Sequence, residues 1–210
     1  MPRLPEVPRT EDNAPIVERM YRVIFGDRDP IADPGTATGT RGDWWTVFAN
    51  SPDILGHAVH GFRLYQTQTR ELDPLHRELG QTRIGWVAGS QFVFSQHCKS
   101  LRGLGVSEEK IAAIPHWQAS EAFDRTERLV LAYTDCLGSD HGRVSDGLFD
   151  ALHEAIGPVA VMELSYITTM YLQHAVIVRA LRLENDDVDE HVREIKIDGA
   201  EDQILAITDR

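Results

Sequence analysis

The spacing of apolar residues follows a helical period from Asp43 to Arg182. Within this stretch apolar side chains recur every three or four positions, and helix start and stop signals return at intervals of roughly 15 to 25 residues. No segment alternates apolar and polar residues for long enough to predict a strand. The pattern therefore predicts an all-α protein, built as a helical bundle with short connections.

Capping residues and prolines predict where the helices begin. Asp73 followed by Pro74 predicts a helix that ends at Gly89, and Ser90 is expected to cap the next helix, from about Gln91 to Arg102. The Gly157-Pro158 pair predicts a break before the longest helix, which runs to about Arg182. The other predicted starts are Pro15, Asp43, Ser51 with Pro52, Ser107, Asp124 with Glu127, and Ser145.

Composition divides the chain into three parts. Residues 1–42 carry six of the ten prolines and predict an N-terminal arm and loop with one short helix. Residues 43–184 form the predicted helical domain. Residues 185–210 form an acidic tail, in which Val192 to Ile197 favours either a small hairpin or an arm that docks on a neighbouring subunit.

The charge balance limits the partners. A net charge of −12 disfavours nucleic acid, because affinity for phosphates depends on clustered Lys and Arg. The N-terminal prolines and charges do not resemble a secretory signal, and no window of ~20 apolar residues is evident. We expect a cytoplasmic protein with no membrane partner. The absence of a Gly-rich phosphate loop predicts no nucleotide cofactor.

Cysteine and histidine positions give no metal site. Cys98 and Cys136 lack CxxC or CxxxC spacing, which excludes a zinc ribbon or a local dithiol. His57 and His60 share one helical face, but no carboxylate motif completes a set of ligands. We therefore predict no metal and no cofactor.

Four blocks of sequence resemble the carboxymuconolactone decarboxylase family. His97 is followed eight residues later by Gly105, an interval that fits the family. The resemblance covers about residues 43–184 and implies an alkylhydroperoxidase D-like (AhpD-like) helical bundle that forms homo-oligomers. The blocks are Arg77-Glu78-Leu79, Ser90 to His97, Gly105-Val106-Ser107-Glu108-Glu109, and Glu127 to Tyr133, and they are followed by a closing helix from Glu163 to Ala180.

One departure from the family affects the expected chemistry. In the AhpD branch the histidine helix opens with CxxCxxxH, and those cysteine positions fall here on Ser90 and Val93. Peroxide reduction in that branch needs a thiolate and a resolving thiol. The resemblance therefore does not carry the dithiol mechanism to this chain.

The resemblance implies a proton-transfer site at His97 and Glu78, on consecutive antiparallel helices. We predict a cofactor-independent lyase that acts on a small carboxylated lactone or keto acid with an apolar ring or chain. His97 would supply the proton, and Glu78 would orient it. The predicted substrate-binding residues are Gln91, Arg77, Tyr133 and Arg83, of which the arginines suit a carboxylate.

Alternatives remain open at this stage. The chain could retain AhpD-like peroxidase activity through Cys98 or Cys136, or it could be a non-catalytic oligomeric binding protein. His97 could be a core histidine, and Glu78 could only pair with an arginine. Tyr166, Tyr171 and His174 are candidates for the opposite pocket wall, but the pattern of the long helix does not indicate which face is buried.

Overall fold

Every regular element in the described part of the chain is a helix. The computed structural model describes residues 1–67 and 69–196, and the predicted all-α fold is confirmed there. Two short 3-10 helices, Ile114–Ala119 and Glu184–Asp186, accompany the α-helices. The α-helices are α1 Pro15–Phe25, α2 Asp43–Phe48, α3 Pro52–Gln66, α4 Pro74–Val87, α5 Gln91–Gly103, α6 Glu108–Ala113, α7 Arg125–Ser139 and α8 Asp146–Leu181. The hairpin or arm predicted at Val192 to Ile197 extends outside the described residues.

Side-chain caps start the helices that carry the candidate site. Oδ1 of Asp73 accepts the Leu75 N–H at 2.7 Å, and Oγ of Ser90 accepts the Val93 N–H at 3.1 Å. Asp124 caps α7 in a capping box. Each such cap contributes about 1 kcal/mol, because it satisfies a backbone donor that the helix leaves unpaired.

One predicted cap is wrong, and another occupies its predicted position without making a side-chain bond. Asp43 is the first residue of α2 rather than its cap, and its carboxylate accepts the backbone N–H of Glu184. Ser51 precedes α3 without a side-chain capping bond. The Asp43 carboxylate accepts the Glu184 N–H instead of a backbone N–H at the start of α2. The sequence around Asp43 does not reveal that distant donor.

Backbone packing groups the chain into two compact units, and each is described by itself. Unit 1 contains residues 1–67, 178–189 and 196 of the described chain. In this unit the Tyr21 hydroxyl donates to the Val7 carbonyl at 2.6 Å, which ties the N-terminal arm to α1. Gly42 has φ 92°, and a Cβ there would lie 2.7 Å from the Phe25 ring, so only glycine fits. The predicted division after residues 42 and 184 stays a prediction.

Unit 2 contains residues 69–177 and 190–195 of the described chain, and it holds α4 to α7 and most of α8. Helix α4 packs on both α5 and α7. A Cβ at Gly85 would lie 2.7 Å from the Phe94 backbone nitrogen, and a Cβ at Gly138 would lie 2.7 Å from Cδ1 of Ile84. These glycines let the helices approach closely, which brings the C-terminal end of α4 against both α5 and α7.

Helix α8 contains the predicted break. Gly157 has φ 80° and ψ 166° and is followed by Pro158, so the helical path is interrupted there. Contrary to expectation, part of α8 is long and apolar enough to span a membrane by length and composition. A third of this apolar window is buried, and the buried residues of α8 include Leu164, Thr168 and Tyr171.

Candidate active site

His97 and Glu78 form a buried hydrogen-bonded pair in unit 2. Nδ1 of His97 lies 2.7 Å from Oε2 of Glu78, and each residue is only 3% exposed. His97 lies on the second turn of α5, whose start is fixed by the Ser90 cap, and Glu78 lies on the second turn of α4. The pair therefore depends on the close packing of two capped helices.

Arg77 completes this arrangement from the carboxylate side. Its Nε and one terminal nitrogen lie 3.2 and 3.1 Å from Oε1 of Glu78, so each carboxylate oxygen has a partner. Burial by itself raises the pKa of the Glu78 carboxyl. The charge of His97 and the hydrogen bonds from His97 and Arg77 outweigh burial and hold the pKa of Glu78 below its ordinary value. Glu78 is therefore ionised at neutral pH.

Aromatic groups of α8 cover the imidazole. The Tyr171 ring meets the His97 ring edge-on, with centroids 4.3 Å apart and planes at 87°. His174 follows one turn later, and burial lowers the pKa of His174 to about 4, with a smaller contribution from His97. His174 is thus neutral beside the pair. The sequence pattern does not distinguish Tyr171 from Tyr166, which is 55% exposed.

The other predicted substrate-binding residues are dispersed. Gln91 is buried at the first position of α5, six residues before His97. The hydroxyl of Tyr133, on α7, lies 2.7 Å from Oγ of Ser165. No contact of either residue with the His97–Glu78 pair is described, so their predicted roles stay predictions.

Arg83 makes a separate set of contacts. Its Nε and a terminal nitrogen bond the Asp135 carboxylate at 2.5 and 3.1 Å, and the other terminal nitrogen donates to the carbonyls of Ile114 and Pro115. This arrangement ties α4 to α7 and to the 3-10 helix. The geometry gives no support to Arg83 as a carboxylate-binding residue.

The sulfur chemistry of the two cysteines is restricted by their surroundings. Cys98 follows His97 on α5 and is fully buried. Burial raises the pKa of the Cys136 thiol, and the charges of Asp140 and Asp135 raise it further. Both influences oppose thiolate formation at Cys136.

Neither a metal cluster nor a described cavity adds to this site. Among the described residues no group of three or more His, Cys, Asp or Glu side chains could hold a metal ion. A cavity of about 240 Å³ lies in unit 1, and none of the six predicted site residues lines it. Its lining residues are Arg3, Arg179, Arg182, Asp186, Asp187, Val188 and Asp189.

Comparisons with known proteins agree with this arrangement of helices. Residues 55–135, which include Glu78 and His97, match the model of the carboxymuconolactone decarboxylase family. A protein of unknown function from Agrobacterium tumefaciens, named as an AhpD-type antioxidant defence protein, has the same fold at TM-score 0.60 and 19% identity, over 70% of this chain and 96% of that one. Over residues 55–135 the chain is therefore similar to the carboxymuconolactone decarboxylase family, and it shares the fold of AhpD-like proteins.

Other solved structures with this fold have names that refer to different activities. An uncharacterised peroxidase-related protein from Silicibacter sp. superposes with TM-score 0.65 at 11% identity, over 92% of this chain and all of that one. The debrominase Bmp8 superposes with TM-score 0.64 at 15% identity, over 96% of each chain. A search of curated proteins finds no match. At these identities the structures establish the fold, and the reaction must be inferred from the residues of this chain.

Proposed function

We propose that this chain is a cofactor-independent lyase that uses acid–base chemistry on a small carboxylated lactone or keto acid. The observation that carries the proposal is the buried 2.7 Å contact between Nδ1 of His97 and Oε2 of Glu78. A carboxylate on one ring nitrogen fixes the tautomer and orientation of an imidazole, and it leaves the other nitrogen for proton exchange. Nε2 of His97 is therefore the proposed catalytic atom.

The proposed reaction balances without a cofactor. The bond between the substrate carboxylate and the α-carbon breaks, CO₂ leaves, and the electron pair moves through the α-carbon onto the neighbouring carbonyl oxygen as an enolate. Nε2 of protonated His97 then delivers its proton to the α-carbon. Solvent returns a proton to the imidazole. Glu78 supports this cycle because its hydrogen bond to Nδ1 holds the imidazole in one orientation.

Arg77 has a positioning role in this proposal. It bonds the carboxylate oxygen that His97 does not use, and it helps to keep Glu78 ionised despite burial. A protonated Glu78 would accept a weaker hydrogen bond from Nδ1 of His97 than the carboxylate does. The earlier prediction that Arg77 binds a substrate carboxylate remains compatible with this role, but the described contact is with Glu78.

A thiol-based peroxidase reaction is the competing hypothesis, and no described feature favours it. Cys98 is sealed from solvent, and the pKa of Cys136 is raised rather than lowered. A peroxidatic cysteine needs the opposite environment, with access and a stabilised thiolate.

The test compares CO₂ release from carboxymuconolactones and β-keto acids by wild type, His97→Gln, Glu78→Gln and Cys98→Ala proteins. We expect His97→Gln to lose about 100-fold or more in kcat, since general acid catalysis contributes on the order of 10²–10⁴. Cys98→Ala should retain activity. His57→Gln, which changes an exposed histidine of α3, is the matched control.

Two results would overturn the proposal. The first is CO₂ release that persists in folded His97→Gln protein. The second is no CO₂ release at all, together with peroxide consumption that disappears in Cys98→Ala. The panel also contains 2,3,4-tribromopyrrole, the compound bound in a structure of a Bmp8 cysteine-to-alanine variant. Bromide release from it without CO₂ release from any acid would assign a different reaction.

We also propose that the chain pairs with a second copy of itself through α8. Four apolar residues of α8 are exposed at spacings of three, four and ten, which is the heptad spacing of paired helices. We call this row of exposed apolar residues the α8 stripe. The stripes of two copies can pack together without opposing like charges, because the exposed heptad positions between them, Thr169 and Gln173, are also uncharged. The four residues are Val159, Met162, Tyr166 and Val176.

A further inference from the structure

Two buried polar side chains near the His97–Glu78 pair have no hydrogen-bond partner in the described part of the chain. Gln81 is fully buried, and neither its amide oxygen nor its amide nitrogen is bonded. The hydroxyl of Thr168, also fully buried, is likewise unbonded. Buried polar groups are nearly always paired, because an unpaired one loses its hydration without compensation. These two groups therefore require an explanation.

Neighbouring threonines show that the local backbone does not prevent pairing. The hydroxyl of Thr82 donates to the Glu78 carbonyl at 2.7 Å, and the hydroxyl of Thr134 donates to the Val130 carbonyl at 2.9 Å. Both bonds reach four residues back along the same helix, which is the usual solution for a helical threonine. Thr168 makes no such bond.

Helix register places each unpaired group one turn away from a residue that contacts His97. Gln81 lies one turn after Glu78 on α4, and Thr168 lies one turn before Tyr171 on α8, so each shares a helix face with a residue that contacts His97. The two helices meet at Gly80, where a Cβ would lie 2.9 Å from Oγ1 of Thr168. The missing side chain at Gly80 thus leaves room for the Thr168 hydroxyl.

We propose that Gln81 and Thr168 form an uncharged hydrogen-bonding subsite that receives the carbonyl oxygen of the substrate and the enolate oxygen formed from it. An amide N–H and a hydroxyl are donors without charge. They suit an oxygen that is neutral in the substrate and becomes negative during the reaction, and this preference favours the transition state. A permanently charged carboxylate in the same place would lack a counter-ion.

This inference rests on the proposed lyase reaction, and it adds the hydrogen-bond donors that the enolate oxygen needs. When the bond between the substrate carboxylate and the α-carbon breaks, the electron pair moves onto the carbonyl oxygen. The Gln81 and Thr168 donors stabilise that oxygen until His97 protonates the α-carbon. No oxidant or reductant takes part. The negatively charged enolate oxygen thus lies against uncharged donors, while Nε2 of His97 supplies the proton to the α-carbon.

The experiment measures binding and catalysis separately. Binding of phenol, 4-chlorophenol and 4-nitrophenol, whose phenolates mimic an enolate, is titrated with wild type, Gln81→Leu, Thr168→Val and Thr168→Ser proteins. Thr134→Val is the matched control, since it removes a buried hydroxyl that is already paired. We expect Gln81→Leu and Thr168→Val to lose at least tenfold in phenol affinity and about 10²-fold in kcat for CO₂ release, while Thr168→Ser and Thr134→Val bind as wild type.

The outcomes separate this inference from the proposed function. If phenol affinity depends on Gln81 and Thr168 but no acid releases CO₂, the subsite stands and the lyase reaction falls. If CO₂ release depends on His97 but both variants keep wild-type affinity and kcat, the two groups hold an internal water only and the subsite is wrong. Absence of phenol binding to wild type would also overturn it.

Discussion

The backbone N–H of Glu184 donates to Oδ1 of Asp43 at 2.6 Å, which brings two carboxyl groups of unit 1 into one buried network. The Glu184 carboxylate in turn accepts the backbone N–H groups of Gly42 and Trp44, each at 3.0 Å. Burial, with a smaller contribution from the charge of Asp43, raises the pKa of Glu184 to about 7. Burial is also the main cause of a raised pKa at Asp43.

The free energy of unfolding is expected to depend on pH near neutrality because of the Asp43–Glu184 pair. Because the pKa of Glu184 is higher in the folded state than in the unfolded state, its contribution to stability is complete below about pH 4.5 and is lost as pH rises towards about 7. The full loss is about 3 kcal/mol. Removing the Asp43 charge lowers the pKa of Glu184, so Asp43→Asn should gain stability relative to wild type as pH rises from 5 to 8.

Urea unfolding of both proteins across this range measures the difference. His174, whose pKa is lowered to about 4, acts in the opposite direction below pH 6.5, so the comparison between variant and wild type is the informative quantity. Asp53→Asn, which alters an exposed carboxylate of α3, serves as control. Parallel pH curves for wild type and Asp43→Asn would contradict the prediction.

Arg77→Leu should change the pH dependence of activity. Arg77 helps to lower the pKa of Glu78, so its removal raises that pKa and extends the protonated form of Glu78 to higher pH. The acid limb of the kcat/KM profile for CO₂ release should therefore move to higher pH. Arg125→Leu, at an exposed position of α7, should leave the profile in place. An unshifted acid limb in Arg77→Leu would remove Arg77 from the proposed relay.

Gly80→Ala should destabilise the protein although alanine favours helices. The new Cβ would lie 2.9 Å from Oγ1 of Thr168 and 3.1 Å from Cδ1 of Leu164, so neighbouring side chains must move. Overpacking of this kind costs about 1–3 kcal/mol and outweighs a helix-propensity gain of about 1 kcal/mol.

Gly56→Ala in α3 is the matched substitution for Gly80→Ala. Its new Cβ would lie 3.9 Å from Ile16, at ordinary contact distance, so only the propensity gain should remain. Thermal unfolding of the two variants beside wild type should show opposite shifts in Tm. A gain in both would mean that α4 and α8 are less tightly packed at Gly80 than described.

The α8 stripe predicts a change of oligomeric state. Met162 is 69% exposed within the stripe, and Met162→Glu would place a buried charge in an interface between two copies. Light scattering after gel filtration should show wild-type oligomers and monomeric Met162→Glu. Ile54→Glu, at an exposed apolar site of α3, should retain the wild-type mass. Monomeric wild type that sediments with phospholipid vesicles would instead indicate a membrane contact.

Local patterns predicted most helix boundaries because they depend on neighbouring residues. Asp73, Ser90 and Asp124 cap the helices that follow them, and the Gly157-Pro158 break occurs where it was expected. Asp43 was misread because its partner, Glu184, lies 141 residues away. A capping pattern does not reveal a competing donor at that distance.

The candidate site was only partly predictable. The Glu78–His97 contact was expected from the resemblance, since residue spacing alone does not bring two helices together. Arg83 looked available for a substrate, but Asp135, 52 residues away, accepts its hydrogen bonds. Gln81 and Thr168 carried no signal, because their distinguishing feature is the absence of a partner within a packed core. That feature appears only in three dimensions.

The Ser90 cap has a consequence for how this scaffold evolves. The position that a redox cysteine occupies in the AhpD branch here needs only an oxygen that accepts the Val93 N–H. Exchange of Ser90 and Val93 would alter the start of α5, while the His97–Glu78 contact lies a full turn or more further along the helix. Residues 90 and 93 can therefore be exchanged at one helix end as a module that is separable from the His97–Glu78 contact.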